Sequence, residues 1–158
     1  PNAQVLYAGQ HQNVMGEQAY FDRLIPQIHE YEMTGHWTFL GNLSPVQLAA
    51  LYPNIDVLTV PSLNSTEAFG LVQIEAMING APSVPSALPG VRRPVQMHGM
   101  GVVSEIGNAE SLAASILEVL DNPQKYRGDV GGIKKAYEPD SVAQEYEKLF
   151  ERLMKKGR

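Results

Sequence analysis

The sequence has no cysteine and one tryptophan among its 158 residues. Without thiols, the chain cannot form disulfides, use a thiolate nucleophile or build a cysteine-based zinc site. Its four histidines, His11, His29, His36 and His98, show no spacing typical of metal ligands. The sequence therefore offers no recognisable metal site.

Basic charge is also scarce. Twelve Lys and Arg residues face 17 Asp and Glu residues, which gives a formal net charge of −5 at pH 7. No basic stripe is present to neutralise phosphates, so the composition argues against a general nucleic-acid or anionic-membrane binder. Lys155, Lys156 and Arg158 form a short basic tail that is typical of a solvated helix end.

Long hydrophobic runs are missing as well. No run reaches the length of a membrane span and no signal peptide is visible, so we expect a cytoplasmic protein. The chain begins at Pro1 rather than Met and leads directly into a predicted strand, so we expect it to be part of something longer. Its apolar content of 44% is enough for the buried core of one domain over residues 1–158.

Short apolar runs alternate with amphipathic segments along the chain. Strands are predicted at Gln4–Gly9, Trp37–Gly41, Asp56–Val60, Ser83–Ser86 and Gly101–Ser104. Helices are predicted at about 16–31, after a Ser44–Pro45 cap, at about 68–79, from Asn108 to before Pro123, and at about 140–156. Pro26 implies a kink or two short helices, and glycines weaken the segment from Pro123 to Tyr137.

This alternation predicts an α/β protein. Strand and helix follow one another about five times with short connections, which is the pattern of a Rossmann-like, doubly wound parallel sheet with helices on both faces. Ligands of such sheets bind outside the carboxyl ends of the strands. One of these ends is the turn that begins at Pro61.

That turn carries the main functional signal. Two carboxylates, Glu67 and Glu75, stand eight residues apart around it, and the helix begins between them, near Phe69–Val72. A helix start offers free backbone N–H groups and the positive end of a dipole to phosphate oxygens. Carboxylates cannot bind phosphate, but they accept hydrogen bonds from sugar hydroxyls. The inner stripe of this helix is predicted at Leu71, Ile74, Met77 and Ile78.

Structural roles compete with this interpretation. Glu67 could be a first-turn acid of the helix, with Asn64 or Ser65 as its cap, and Glu75 could face solvent. Pro89–Gly90 is typical of a turn first and of a ligand-facing loop second. Two arginines at a predicted helix start, Arg92 and Arg93, are more often solvated than bound to phosphate.

The ordered set of segments resembles the C-terminal, donor-binding domain of retaining GT-B glycosyltransferases of family 4 (group 1). The E-x7-E motif stands as Glu67 and Glu75 within Glu67-Ala68-Phe69-Gly70-Leu71-Val72 and Glu75-Ala76-Met77. Further matching segments are Leu6–Gly9, Phe39–Leu43, Leu51–Val57, Gly80–Val84, Leu88–Val91 and Gly99–Val103. The resemblance covers nearly the whole chain.

The resemblance implies a nucleotide-diphosphate-sugar donor and transfer of its sugar with retention of configuration. It implies that Glu75 accepts hydrogen bonds from the ribose and that Glu67 binds the transferred sugar. The donor-binding residues it implies are Phe69, Gly70, Leu71 and Val72, whose amides face the diphosphate and sugar, with Gly41 and Leu43 near the base. Enzymes of this type need no divalent metal, so no metal or other cofactor is expected.

The same resemblance implies missing parts. The family's donor domain opens with a βα unit whose Arg and Lys grip the diphosphate, and this sequence begins after it. The acceptor-binding N-terminal domain is absent too, and any peripheral contact with a membrane would come through that domain. The sheet must then close up, dimerise or keep a gap, and we expect the isolated chain to be inactive.

Other function classes remain open at this point. The chain could be a non-catalytic nucleotide or sugar-nucleotide binding module, or a structural half-domain that associates with itself. A sugar-nucleotide 2-epimerase on the same fold fits the Phe69–Val72 segment less well. Nucleotide titration separates the binding classes from the structural one.

Overall fold

A computed structural model describes residues 3–156. Its strands are β1 (Val5–Ala8), β2 (Trp37–Gly41), β3 (Leu58–Val60) and β4 (Ser83–Pro85). Its helices are α1 (Gln18–Glu30), α2 (Pro45–Leu51), α3 (Leu71–Met77), α4 (Arg93–His98), α5 (Ala109–Asp121), α6 (Val130–Ala136) and α7 (Pro139–Lys156), and a 3-10 turn, Tyr52–Asn54, follows α2. The chain divides into two compact units, one up to Ala49 and one from Ala50.

The first unit is a parallel strand pair with a crossover helix. β1 and β2 pair in parallel, with Val5 opposite Trp37 and a register shift after Tyr7. Between them runs α1, in which Pro26 lies inside one continuous helix rather than between two short ones. Ser44 and Gln47 cap α2 reciprocally: Ser44 Oγ accepts from the Gln47 amide at 3.3 Å, and Gln47 Oε1 accepts from the Ser44 amide at 2.8 Å. The cap predicted at Ser44 is confirmed.

The second unit repeats the parallel arrangement. β3 and β4 pair in parallel, with Leu58 opposite Ser83. The strand predicted at Gly101–Ser104 appears as two isolated parallel bridges, Ser83–Gly101 and Ser86–Ser104. β4 therefore has β3 on one side and the 101–104 segment on the other.

Helices pack around β4 and form two apolar clusters, which make up the core of the second unit. One contains Ile74, Met77, Val95, Met100 and Ile133, contributed largely by α3, α4 and α6. The other contains Val84, Val119 and Tyr126, with α5 packed on the strand. The predicted Rossmann-like α/β class is confirmed by the close structural neighbours described below.

Side-chain caps begin two of the helices in the second unit. Asn108 Oδ1 accepts from the Ser111 amide at 3.0 Å and so begins α5 as predicted. Asp129 accepts from the Gly132 amide at 2.9 Å, which lets the glycine-containing α6 form. α7 leaves much of its apolar face exposed, including Tyr146, Phe150 and Leu153. No helix described within residues 3–156 is long and apolar enough to cross a membrane.

Candidate functional site

The turn between β3 and α3 holds Glu67 against the start of the helix. Gly70 precedes α3 in a left-handed conformation, with φ 75° and ψ 60°, which glycine adopts without a steric penalty. The amide of Gly70 donates to Glu67 Oε1 at 2.9 Å. α3 therefore begins at Leu71, three residues later than predicted, and Asn64 bonds Thr66 instead of capping it. Glu67 combines a structural contact with an exposed carboxylate.

Glu75 lies on α3 and is anchored by a tyrosine. Tyr52, which is 5% exposed, donates its hydroxyl proton to Glu75 Oε2 at 2.9 Å. Burial, the hydrogen bond and the charge of Glu75 together raise the pKa of the Tyr52 phenol. Tyr52 therefore stays a donor at neutral pH. Among the residues that the structure describes, no donor bonds Glu75 Oε1, so this oxygen can accept from a ligand.

The segment between the two carboxylates exposes its first helical turn. Leu71 is 64% exposed and Val72 is 42% exposed, whereas Phe69 packs against the apolar cluster around Met77. The predicted inner stripe is thus wrong at Leu71. Because α3 begins at that residue, its buried positions are Gln73, Ile74, Ala76 and Met77.

The structure brings most of the predicted site residues together on β3, the turn after it and α3. Glu67, Phe69–Val72 and Glu75 all follow β3 within one turn and one helix. Gly41, with φ 68°, ends β2, and the half-buried Leu43 follows it. Both residues belong to the first compact unit, whereas β3 and α3 belong to the second. Their role at the base stays a prediction.

Sequence reasoning missed Gln73, which is fully buried behind the turn. Its Nε2 donates to the Val91 carbonyl at 2.8 Å, and its Oε1 accepts from Ser83 Oγ at 2.8 Å. The sequence did contain a hint: Gln73 is a polar residue immediately before Ile74, which together with Met77 forms the apolar face of the helix. Amides in cores are bonded because an unpaired one costs free energy, so such a residue predicts a partner.

A second loop packs directly on the turn. A Cβ at Gly90 would collide with the backbone carbonyl of Ala68, so only glycine allows this approach. The Pro89–Gly90 turn predicted from the sequence therefore lies beside the Glu67-bearing segment. Arg92, next in this loop, donates from Nη1 to the Ala87 carbonyl at 3.1 Å.

His98 has a structural contact of its own. Its Nε2 lies 3.3 Å from the hydroxyl of Tyr137, at the end of α6. Burial lowers the pKa of His98 and raises that of Tyr137. Within residues 3–156, no group of three or more His, Asp or Glu side chains could hold a metal ion.

A small cavity of about 170 Å³ lies beyond the carboxyl ends of β3 and β4. Its polar lining groups are bonded within the chain. Ser86 Oγ donates to the Ser62 carbonyl at 2.7 Å, and Asn108 Nδ2 donates to Glu105 Oε2 at 2.8 Å. The cavity offers a ligand apolar contact and few free polar groups, unlike the carboxylate-bearing turn.

Residues 1–136 match the family model of glycosyl transferases group 1. The chain belongs to this family. The resemblance inferred from the E-x7-E motif and its flanking segments is confirmed.

Curated proteins are similar to part of the chain, with about a third of the aligned residues identical. A glycogen synthase of Mycobacterium tuberculosis is 32% identical over 123 residues, which are 78% of this chain and 29% of the synthase. A phosphatidyl-myo-inositol mannosyltransferase of Mycolicibacterium smegmatis is 31% identical over 99 residues, 63% of this chain and 25% of that enzyme. The chain therefore spans less than a third of these relatives.

Solved structures share the fold over nearly the whole chain. The sucrose-phosphate synthase of Thermosynechococcus elongatus superposes with a TM-score of 0.78 at 28% identity, covering 96% of this chain and 38% of the synthase. The Anabaena protein HepE, in complex with UDP, gives 0.71 at 25% identity, covering 94% and 42%. HepE has also been solved with UDP-glucose, where the TM-score is 0.70 at 27% identity, covering 84% and 39%.

The burial of Tyr52 and its hydrogen bond to Glu75 predict a pH dependence of stability. Because the pKa of Tyr52 is raised above its usual 10.0, the folded state disfavours the phenolate. The resulting stability is fully present below pH 10 and is lost as pH rises through the raised pKa. We expect the free energy of unfolding, measured by urea denaturation from about pH 8 to about pH 11, to fall more steeply in the wild type than in Tyr52→Phe.

Lysines titrate over the same range in both proteins, so the difference between the two slopes isolates Tyr52. Tyr146→Phe, which removes an exposed phenol on α7, serves as the control. Equal slopes for wild type and Tyr52→Phe would contradict the raised pKa of Tyr52.

Proposed function

We propose that this chain is the donor-binding half of a glycosyltransferase that moves a sugar from a nucleotide-diphosphate-sugar to an acceptor with retention of configuration. The observation that carries the proposal is the pair of exposed carboxylates on the β3–α3 unit, each anchored through one oxygen. Family membership and the UDP-bound neighbours support it.

Glu75 binds the ribose of the donor in this proposal. Tyr52 holds Oε2, which leaves Oε1 to accept hydrogen bonds from the ribose hydroxyls. A charged acceptor makes stronger hydrogen bonds than a neutral one, by roughly a factor of two. The contact would therefore favour ribonucleotides over deoxyribonucleotides.

The diphosphate and the transferred sugar occupy the start of α3. Leu71 and Val72 are its first residues, so their amides have no acceptor within the helix, and their neighbours leave the surface open. Glu67, held by the Gly70 amide, accepts from hydroxyls of the sugar. Gly41 and Leu43 contribute to the binding of the base.

The transfer step breaks the bond between the anomeric carbon and the β-phosphate oxygen and forms a bond from that carbon to the acceptor oxygen. The acceptor proton passes to the departing phosphate oxygen on the same face of the sugar, which retains the configuration. The protein contributes positioning and electrostatic stabilisation rather than a covalent nucleophile. No metal or other cofactor takes part in the proposed step.

The proposal assigns the remaining functions to parts outside this sequence. Cationic groups for the diphosphate and the acceptor-binding domain belong to the longer protein, which we propose to be cytoplasmic. A non-catalytic nucleotide-binding module would share the donor contacts, and a self-associating half-domain would share none of them. No observation of the structure favours either alternative.

Glu75→Gln tests the ribose contact. The variant keeps the shape of the side chain and removes the charge, so we expect the Kd for UDP to rise about tenfold in calorimetric titration. The Kd for 2′,3′-dideoxy-UDP should be nearly unchanged, because that nucleotide lacks the hydroxyls. Glu110→Gln, at an exposed position on α5, is the matched control.

An equal loss of affinity for both nucleotides would contradict the assignment of Glu75. Absence of binding by the wild type to UDP, GDP and ADP at millimolar concentration would overturn the proposed function and favour the structural alternative. Addition of EDTA should leave the affinity for UDP unchanged.

A turnover assay tests whether this chain alone can catalyse the transfer or needs the rest of the longer protein. We expect no hydrolysis or transfer from UDP-glucose by the 158-residue chain, because the proposal assigns the acceptor site and the cationic groups to a longer protein. The longer protein should transfer sugar with retention, read from the anomeric proton of the product by NMR. Turnover by the isolated chain, or an inverted product, would contradict the proposal.

A further inference from the structure

One buried side chain connects the Glu67-bearing turn with the loop that follows β4. Gln73 is fully buried on α3. Its Nε2 donates to the Val91 carbonyl at 2.8 Å and, with longer geometry, to the Phe69 carbonyl at 3.4 Å. Its Oε1 accepts from Ser83 Oγ on β4 at 2.8 Å. A single carboxamide thus bonds the turn, the loop and the strand.

The packing around this carboxamide leaves no room for other side chains. A Cβ at Gly70 would come within 2.6 Å of Gln73 Nε2, and a Cβ at Gly90 would collide with the Ala68 carbonyl. The backbones of the turn and of the loop are therefore in direct contact. Gly90 permits the approach to Ala68, and Gly70 leaves the space that the Gln73 carboxamide occupies.

These bonds favour one position of the loop. A buried amide that loses its acceptors destabilises the folded state, because no water replaces them in the core. The Val91 carbonyl meets Gln73 Nε2 only when the loop lies against the turn. Gln73 therefore penalises loop positions away from the turn, in addition to the apolar packing of the buried Leu88 and Val91.

We propose that Gln73 is a positioning residue: it holds residues 88–92 against the Glu67–Gly70 turn so that both form one ligand-binding surface. The inference rests on the proposed function for the identity of the ligand, a nucleotide-diphosphate-sugar. Both segments leave the carboxyl ends of the neighbouring strands β3 and β4, the edge at which ligands bind in this class of fold.

Amide hydrogen exchange of the 158-residue chain with Gln73→Met tests the positioning. Methionine has a similar length and offers no hydrogen bond, so exchange of amides within 86–92 should accelerate by at least about fivefold, the effect of losing one buried hydrogen bond. Exchange in α5 should not change. Ser83→Ala removes only the bond to Oε1, and Ile74→Val loosens the core beside Gln73, so both should leave the loop near wild type.

Titration with UDP-glucose then connects the loop with the ligand. Gln73→Met should raise the Kd for UDP-glucose about fivefold or more, whereas Ile74→Val should not. Gly90→Ala, whose Cβ would push the loop off the Ala68 carbonyl, should reproduce both effects. Gln73→Leu repeats the test of Gln73 if Gln73→Met fails to fold.

Each outcome decides one part of the inference. Unchanged loop exchange in folded Gln73→Met overturns the positioning role, whatever UDP-glucose does. Faster exchange with unchanged affinity overturns the assignment of the loop to the ligand surface. Absence of binding by the wild type refutes the proposed function and the ligand assignment, while the exchange comparison still decides whether Gln73 holds the loop.

Discussion

The structure of the site depends on the close contact between the Glu67–Gly70 turn and the loop around Gly90. The backbone of the loop approaches the Ala68 carbonyl this closely because Gly90 carries no Cβ. The contact buries polar groups, which must be bonded, and Gln73 bonds them. The exposed edge that a ligand would meet is therefore built on a buried hydrogen-bond network.

The two carboxylates share this design in different ways. Glu67 is held by the amide of Gly70, at the point where the chain changes from turn to helix. Glu75 is held by the hydroxyl of the buried Tyr52. In each case one oxygen fixes the orientation, so the other can meet a ligand without first losing much conformational freedom. Such preorganisation suits the recognition of sugar hydroxyls that we propose for this site.

Much of this could be predicted from the sequence because it depends on local patterns. Strand positions follow short apolar runs, and the Asn108 cap and the E-x7-E motif are readable in single segments. The partners of Tyr52 and Gln73 could not be predicted, because they lie 23 and 18 residues away along the chain. The contact of Gly90 could not be predicted either, because it depends on the packing of two loops. The exposed position of Leu71 follows from the late start of α3, which a left-handed glycine sets.

The central claim is that a nucleoside diphosphate binds at the start of α3. Titration of the isotopically labelled chain with UDP, followed by amide NMR, tests it most directly. The account predicts that the perturbed resonances cluster at Gly70, Leu71 and Val72, with smaller changes around Glu75 and Gly90. Perturbations confined to the cavity beside Asn108 or to α7, or no perturbation at all, would contradict it.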